Sequence, residues 1–191
     1  MRYSFTLVII LIVVALGAPG YSAETVYPAG SAIDADYQLS GTTLSTGDTL
    51  VIFRSVANGE SFALTGLYLS EHLPPQMTVV GESVTINGAP AAAVDSVLPP
   101  GTLLSGYSSY YWLVDTPSGG VDLNPGDSLS LEIRVVCPVE GSYNLPLHTT
   151  TWYGDGDSFF AAGDSTIVTV TAEADITPPA AISNLSITPG N

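Results

Sequence analysis

The sequence has no lysine, and its only bases are Arg2, Arg54 and Arg134 against 18 acidic residues, which gives a formal net charge of -15 at pH 7. Such a chain has no basic surface for nucleic acid or for an anionic membrane surface, so neither is expected as a partner. The absence of lysine also excludes Schiff-base chemistry, a phosphate-loop lysine and lysine–asparagine isopeptide bonds. These absences remove whole functional classes before any motif is considered.

Cysteine is nearly absent, because Cys137 is the only one. A single thiol cannot form an internal disulfide, so the fold must rest on its hydrophobic core. Cys137 continues the apolar phase of a predicted strand, which favours a small buried side chain over an intermolecular disulfide. With 46% hydrophobic and only 11% charged residues, the composition is that of a folded domain and not of a disordered acidic tail.

The first 23 residues have the pattern of a secretory signal peptide. Arg2 supplies the charged start, residues 5–16 form an almost unbroken apolar run, and small residues follow. The run is shorter than the stretch of about 18 residues that a membrane span needs. An uncleaved N-terminal anchor is the alternative. We expect cleavage after Ala23, or otherwise after Gly20, and therefore a secreted or cell-surface protein.

Beyond the signal, short runs rich in Val, Ile, Thr and Tyr are separated by Gly, Pro, Asn and Asp at spacings typical of a β-sandwich. In the clearest run, Leu129, Leu131 and Ile133 alternate with mostly polar residues, as in a strand with one buried face. Asn87-Gly88 and Asp155-Gly156 predict tight turns. Strands are predicted at residues 37–39, 49–56, 64–70, 78–86, 110–114, 128–137, 142–153 and 166–172, with Pro146 at an edge or a bulge.

Residues 44–52 and 123–131 echo each other, because each contains a Gly-Asp turn that begins a strand. Extending this alignment makes Arg54 equivalent to Ile133, which places the arginine on the inward face. Either the strand at residues 49–56 is covered on both faces, or its phase slips near Arg54. A covered Arg54 would need a carboxylate partner, because an unpaired buried charge is very costly.

Several motifs occur in the order found in one bacterial family. A Gly-Asp turn at residue 47 begins a strand that ends in Asn58, residues 64–80 run through Leu73-Pro74, and Trp112-Leu113, Gly126-Asp127 and residues 141–143 follow. Over residues 37–171 the chain resembles the conserved-repeat domain of bacterial surface proteins, known as domain of unknown function eleven. Arg54, Pro75-Gln76 and the tyrosine-rich residues 105–111 depart from the family pattern. The resemblance implies an all-β, immunoglobulin-like antiparallel β-sandwich of about seven or eight strands.

The C-terminal residues change character at a proline-marked hinge. Residues 177–185 resemble the entry to a fibronectin type III module, which implies neighbouring modules of the same protein as partners. The expected organisation is a signal peptide at 1–23, a lead-in at 24–36, the sandwich at 37–172, a linker at 173–182 and the start of a fibronectin-like module at 183–191.

Motifs for catalysis are largely missing. There is no Gly-x-Ser-x-Gly elbow, no His-Glu-x-x-His and no phosphate-cradling loop. His72 and His148 lack partners at metal-ligand spacing and are expected to be solvated or hydrogen-bonded surface residues. Carboxylate pairs that only the fold would bring together remain open. We therefore expect no catalytic residues and a structural or interaction module that acts as a spacer or in adhesion.

Calcium is the one cofactor that the sequence leaves open. Asp155, Asp157 and Asp164 flank one loop, and hard cations require several clustered oxygen ligands. The spacing is not that of a twelve-residue calcium loop, so turn chemistry is the favoured interpretation of these residues. A second and weaker calcium candidate consists of Asp34, Asp36 and Asp175.

Aromatic residues cluster just before and within one predicted strand. Trp112 matches the strand tryptophan of the family and is expected in the core. Tyr107 and Tyr111 are candidates for an exposed patch that stacks on sugars. The alternative function is therefore a carbohydrate- or calcium-binding accessory module of a secreted hydrolase, with polysaccharide or other surface proteins as possible partners.

The acidity also predicts a salt effect on stability. Two arginines remain after signal cleavage to balance all 18 acidic residues. Repulsion between the acidic side chains is screened by salt, so the melting temperature should rise with ionic strength. Thermal unfolding from low salt to about 1 M salt measures the effect, and a flat response over that range would contradict it.

Overall fold

The computed structural model describes residues 20–172, apart from residues 92, 99, 115–121 and 147–148. This part of the chain is built of strands and turns. None of it forms a helix long and apolar enough to cross a membrane. The strands are β1 (Gly20–Ala23), β2 (Thr25–Tyr27), β3 (Ile33–Leu39), β4 (Thr43–Ser45), β5 (Thr49–Asn58), β6 (Thr65–Leu73), β7 (Thr78–Ile86), β8 (Ala89–Ala91), β9 (Ala93–Leu98), β10 (Ser108–Val114), β11 (Ser128–Val136), β12 (Gly141–Leu145), β13 (Thr149–Gly154), β14 (Asp157–Ala162) and β15 (Thr166–Thr171).

Two six-stranded antiparallel sheets form the body of the molecule. The front sheet has the order β1-β3-β5-β11-β7-β8, and the back sheet has the order β2-β14-β13-β6-β10-β9. A three-stranded side sheet has the order β12-β15-β4, in which β15 and β4 are parallel. This is the arrangement of an immunoglobulin-like β-sandwich, so the predicted fold class is confirmed.

The core lies between the two large sheets because one face of each strand is apolar. In β11, Leu129, Leu131 and Ile133 are fully buried, while Glu132 is half-buried and Arg134 is exposed. Facing them from the back sheet are buried side chains that include Leu67, Leu69, Trp112 and Trp152. Trp112 and Cys137 are both buried, as predicted, and the Cys137 thiol is free.

Both predicted tight turns are present. Asn87 and Gly88 join β7 to β8 with φ angles of 51° and 77°. Asp155 and Gly156 join β13 to β14 with φ angles of 48° and 83°. A positive φ at both central residues is the geometry of two-residue hairpins, which Asn-Gly and Asp-Gly adopt at low cost.

The two Gly-Asp turns have the same geometry, as their sequence echo predicts. An Asp48 side-chain oxygen accepts a hydrogen bond from the Ser45 N–H at 2.8 Å. An Asp127 side-chain oxygen accepts one from the Asn124 N–H at 2.9 Å. A hydrogen bond from the Asn87 side chain, together with those from Asn124, lowers the pKa of Asp127. The turns begin β5 and β11, which are antiparallel neighbours in the front sheet.

The sandwich contains more strands than the sequence predicted. The additional strands β1, β2, β4, β8, β9 and β14 have three to six residues each, too few to display a clear alternation of apolar and polar positions. The segment interpreted as a lead-in, residues 24–36, supplies β2 and the first part of β3. The sandwich therefore begins before Tyr37.

The predicted strand at residues 142–153 is in fact two strands in different sheets. β12 belongs to the side sheet and β13 to the back sheet. The break comes at Pro146, directly after β12, where a residue without an N–H cannot continue a ladder of hydrogen bonds.

The predicted signal peptide, linker and fibronectin-like start fall largely outside the described residues, at 1–19 and 173–191. Residues 20–23 are described as β1, which pairs with β3. Cleavage after Ala23 would remove this strand, whereas cleavage after Gly20 would keep most of it. The organisation of these terminal segments stays a prediction.

Candidate functional site

Arg54 lies in the core between the two large sheets, with 1% of its surface exposed. Its guanidinium forms ion pairs with Glu24 at 3.0 Å and with Glu71 at 3.2 Å. It also donates hydrogen bonds to the Ser70 carbonyl oxygen at 2.9 Å and to the Thr150 hydroxyl. The expectation that a covered Arg54 requires a carboxylate partner is confirmed, with two such partners.

The phase of β5 does not slip at this arginine. Leu50, Ile52, Arg54 and Val56 are all buried and alternate with half-buried residues along the strand. Arg54 is paired across the ladders with Leu131 on one side and Tyr37 on the other. The phase slip that the sequence left open is therefore absent, and the outward face of β5 is half-buried and not fully covered.

Glu24 marks the point where the N-terminal chain passes from the front sheet to the back sheet. It lies between β1 and β2, which pair with β3 and β14 respectively. Its side chain is 1% exposed where it meets Arg54. The ion pair thus anchors a short connecting segment, and that segment places Tyr27 at the edge of the back sheet.

The outer face of the back sheet has a different character from the rest of the molecule. The outward-facing residues of each strand alternate with buried core residues such as Leu69, Trp112 and Trp152. The positions whose side chains the structure describes are Thr25, Tyr27, Tyr68, Ser70, His72, Leu98, Ser109, Tyr111, Leu113, Thr149, Thr151, Phe160 and Ala162. None of these is Asp, Glu, Lys or Arg.

Five of these side chains form a line across the strands. Tyr27 pairs with Phe160, Phe160 with Thr151, Thr151 with Tyr68, and Tyr68 with Leu113. We call this line the aromatic row. Since neighbouring strands lie about 4.8 Å apart, the row extends for about 19 Å.

The exposed rings of the aromatic row are held by stacking. Tyr27 and Phe160 are 42% and 44% exposed, and their near-parallel rings lie 4.8 Å apart between centroids. Tyr68 stacks on Tyr111 at 5.1 Å. Burial and the neighbouring Tyr111 raise the pKa of Tyr68 to about 12, so this hydroxyl stays neutral and able to donate a hydrogen bond. Leu113, 41% exposed, ends the row.

The outer face of the front sheet carries the charges that the back sheet lacks. Asp34, Asp36, Glu132 and Arg134 occupy its outward positions in β3 and β11. Burial, followed by the charges of Asp34 and Glu24, raises the pKa of Asp36. The two outer faces of the sandwich therefore differ in electrostatic character.

The two tyrosines predicted as an exposed patch are not equivalent. Tyr111 lies on the outer face of the back sheet but is only 7% exposed, so the expectation that its ring is exposed is wrong. The stacked Tyr68 covers part of it. Tyr107 is half-buried in the turn before β10, where its N–H donates to the Leu104 carbonyl oxygen. Ligand binding by either residue stays a prediction.

Tyr27 and Phe160 were not among the site residues predicted from the sequence. They lie in strands β2 and β14, which were interpreted as a lead-in and as part of a loop. A usable signal was present, because a two-residue turn at Asp155-Gly156 places Phe160 opposite Thr151 by simple counting.

The aspartates of the possible calcium site are exposed and belong to the β13–β14 turn and the segment after β14. Within the described ranges, no three residues of the His, Cys, Asp and Glu types come together as a possible metal site. Asp155, Asp157 and Asp164 are therefore not gathered into a cluster. Asp34 and Asp36 lie on β3, and Asp175 lies outside the described residues. Calcium binding stays a prediction.

The fold brings together one pair of residues of a catalytic type. His72 Nδ1 lies 2.9 Å from the hydroxyl oxygen of Ser109, and burial lowers the pKa of this histidine. A serine nucleophile must be reachable by its substrate, whereas Ser109 is 0% exposed. The pair is thus a hydrogen bond within the sheet, in keeping with the expectation for His72. His148 lies outside the described residues.

Comparison with known proteins shows that no family model and no curated protein matches the chain. Among solved structures, the chain is similar to AvmM, which catalyses macrocyclization in alchivemycin A biosynthesis (14% identity, 74% of this chain and 90% of that one, TM-score 0.46). It is also similar to a cohesin module of a Clostridium perfringens family 33 glycoside hydrolase (11% identity, 75% and 99%, TM-score 0.38).

The major pilin SpaA of Corynebacterium diphtheriae is a third similar structure (11% identity, 71% of this chain and 32% of that one, TM-score 0.43). These similarities all have TM-scores below 0.5 and support no statement about the function of the chain. The resemblances to the conserved-repeat domain and to a fibronectin type III module stay predictions.

Proposed function

We propose that the chain is a non-catalytic interaction module of a secreted or cell-surface protein, and that it adheres through the aromatic row. The observation that carries this proposal is the alignment of Tyr27, Phe160 and Tyr68 on an uncharged sheet face. The chain has 18 acidic residues, yet none of the described side chains of this face is acidic or basic.

The exposure of the row supports contact with a partner. Rings of Tyr and Phe are enriched in the cores of protein interfaces, where charged residues are depleted. Exposed apolar patches rimmed by polar residues mark interaction sites. Here three large side chains, Tyr27, Phe160 and Leu113, each keep about two-fifths of their surface in solvent.

Spacing between neighbouring modules is a compatible second role. The alternative of a carbohydrate-binding accessory module is favoured by the row itself, because exposed aromatic rings on an open sheet face are suited to stacking. The calcium alternative has no comparable support among the described residues. The absence of catalysis is also part of the proposal, and it is supported by the inaccessible Ser109.

Bead adhesion tests the proposal. The chain is coupled to beads, which are applied to surfaces coated with the same chain, with neutral polysaccharide or with acidic polysaccharide. We expect adhesion to at least one coating, and at least a tenfold loss of bound beads for the double variant Tyr27→Ser, Phe160→Ser. Removing two exposed rings deletes most of the accessible aromatic surface of the row.

Ile167→Ser is the matched control, because Ile167 is 62% exposed on β15 and lies away from the row. Its adhesion should equal that of the unmodified chain, and equal melting temperatures would show that all variants are folded. Absence of adhesion on every coating would leave only the spacer role. Adhesion that survives the double variant would show that another surface is used.

A further inference from the structure

We infer that the partner of the aromatic row is a neutral polysaccharide chain lying across the strands of the back sheet. This inference rests on the proposed function, because it names the ligand of the same face. Its three supports are the charge, the shape and the side-chain chemistry of the row.

The charge distribution favours a neutral ligand. The chain carries a formal charge of -15, so an acidic polymer approaching any face is repelled, within a screening length of about 8–10 Å. A basic partner would be attracted to the acidic outer face of the front sheet, at Asp34 and Asp36, and not to the uncharged one. A neutral ligand neither gains nor loses from these charges, so contact chemistry alone selects its site.

The shape favours an elongated ligand. The row runs across five neighbouring strands, in the direction perpendicular to them, and extends for about 19 Å. Small molecules are held in concave pockets that surround most of their surface. A line of side chains on an open sheet face instead matches a polymer, whose successive units meet successive side chains.

The side chains of the row combine ring surfaces with hydroxyl groups. Tyr27, Phe160 and Tyr68 provide apolar ring surface, while Thr151 lies between Phe160 and Tyr68 and the tyrosine hydroxyls donate and accept hydrogen bonds. A pyranose unit has the matching character, with an apolar C–H face and hydroxyl groups around its edge. Aromatic rings that also carry a polar group are suited to such amphipathic ligands.

The stacked partners fix the rings before a ligand arrives. Tyr27 and Phe160 restrain each other, and the buried Tyr111 restrains Tyr68. Binding to side chains that are already ordered costs less conformational entropy than binding to mobile ones. Tyr111 is therefore a positioning residue, and its hydroxyl is not needed for contact.

Retention on insoluble polymers tests this inference with the full chain. The neutral probes are cellulose, chitin and mannan, and the acidic probes are alginate and polygalacturonate coupled covalently to beads in calcium-free buffer. We expect retention on at least one neutral polymer and on neither acidic one. Phe160→Ser should weaken binding about 2- to 10-fold, the ratio that corresponds to loss of one aromatic contact. The double variant Tyr27→Ser, Phe160→Ser should abolish it.

Two substitutions of Tyr111 separate contact from positioning. Tyr111→Phe keeps the stacked ring and should bind as the unmodified chain does, whereas Tyr111→Ser should weaken binding together with the stacking-dependent ultraviolet circular dichroism of Tyr68. Ile167→Ser, outside the row, should leave retention unchanged. Loss of retention on Tyr107→Ala would place the contact at the turn before β10 and overturn the inference.

Retention on no neutral polymer, equal retention on acidic polymers, or retention that survives the double variant would each overturn it. Sedimentation of the chain alone measures self-association, and it distinguishes failure of the polysaccharide inference from failure of the proposed function. Self-association that the double variant abolishes would identify a second copy as the partner, and the face would remain an adhesive surface. If the chain neither binds a polymer nor associates with itself, the proposed function fails as well.

Discussion

Replacing Arg54 by methionine is expected to lower the free energy of unfolding by about 3–5 kcal/mol. The arginine is the cation between Glu24 and Glu71, and all three side chains are at most 3% exposed. Methionine fills a similar volume but leaves two carboxylates inside the sandwich without a cation. Urea unfolding followed by tryptophan fluorescence measures the change, because Trp112 and Trp152 are both in the core.

Arg134→Met is the matched control, since it removes the other arginine of the two large sheets. The Arg134 side chain is 61% exposed and pairs with Glu132 at the surface, so its loss should cost less than about 1 kcal/mol. Adding Glu24→Gln and Glu71→Gln to Arg54→Met should recover a large part of the stability, because the uncompensated charges are then gone. Equal losses for the two arginine variants would show that Arg54 is not paired in the core.

The inward position of Arg54 follows from the sequence echo of the two Gly-Asp turns, and so does its need for a carboxylate. The identity of the partners does not follow. Glu24 and Glu71 lie 30 and 17 residues away in the chain, and they meet the arginine only because β1, β2 and β6 occupy particular places in the two sheets. Strand order is a tertiary property that local alternation does not encode.

The aromatic row also depends on strand pairing that the local sequence does not encode. Hairpin counting aligns Phe160 with Thr151, but the next step to Tyr68 crosses from β13 to β6, strands that are far apart in sequence. Moreover, the register between these two strands shifts by an irregularity just beyond Thr151. Because a slip of one residue moves every side chain to the opposite face, the row could not be derived without the structure.

Asn58→Asp is expected to lower the free energy of unfolding at neutral pH by about 3–5 kcal/mol, because it places an unpaired charge in the core. Asn58 ends β5 and is 1% exposed. Its amide nitrogen donates to the carbonyl oxygens of Phe62 at 2.9 Å and Leu123 at 2.7 Å, and its amide oxygen accepts from the Glu60 N–H at 2.9 Å. A carboxylate in this position would turn both donated bonds into repulsive contacts between oxygens.

The acid dependence separates this mechanism from simple loss of packing. Burial and the two carbonyl oxygens should raise the pKa of the new carboxyl above its unfolded value of about 3.9. The destabilisation is therefore complete above the raised folded-state pKa and shrinks as the pH falls toward about 4, where the neutral acid donates one hydrogen bond.

Asn58→Ala, with no titrating group, should lose about 2–3 kcal/mol of unfolding free energy at neutral and at acid pH. Asn144→Asp, on an exposed position of β12, should change stability by less than about 0.5 kcal/mol. Urea midpoints at pH 7 and pH 4 compare the variants, and an equal deficit for Asn58→Asp at both would contradict the proposed role of its amide nitrogen.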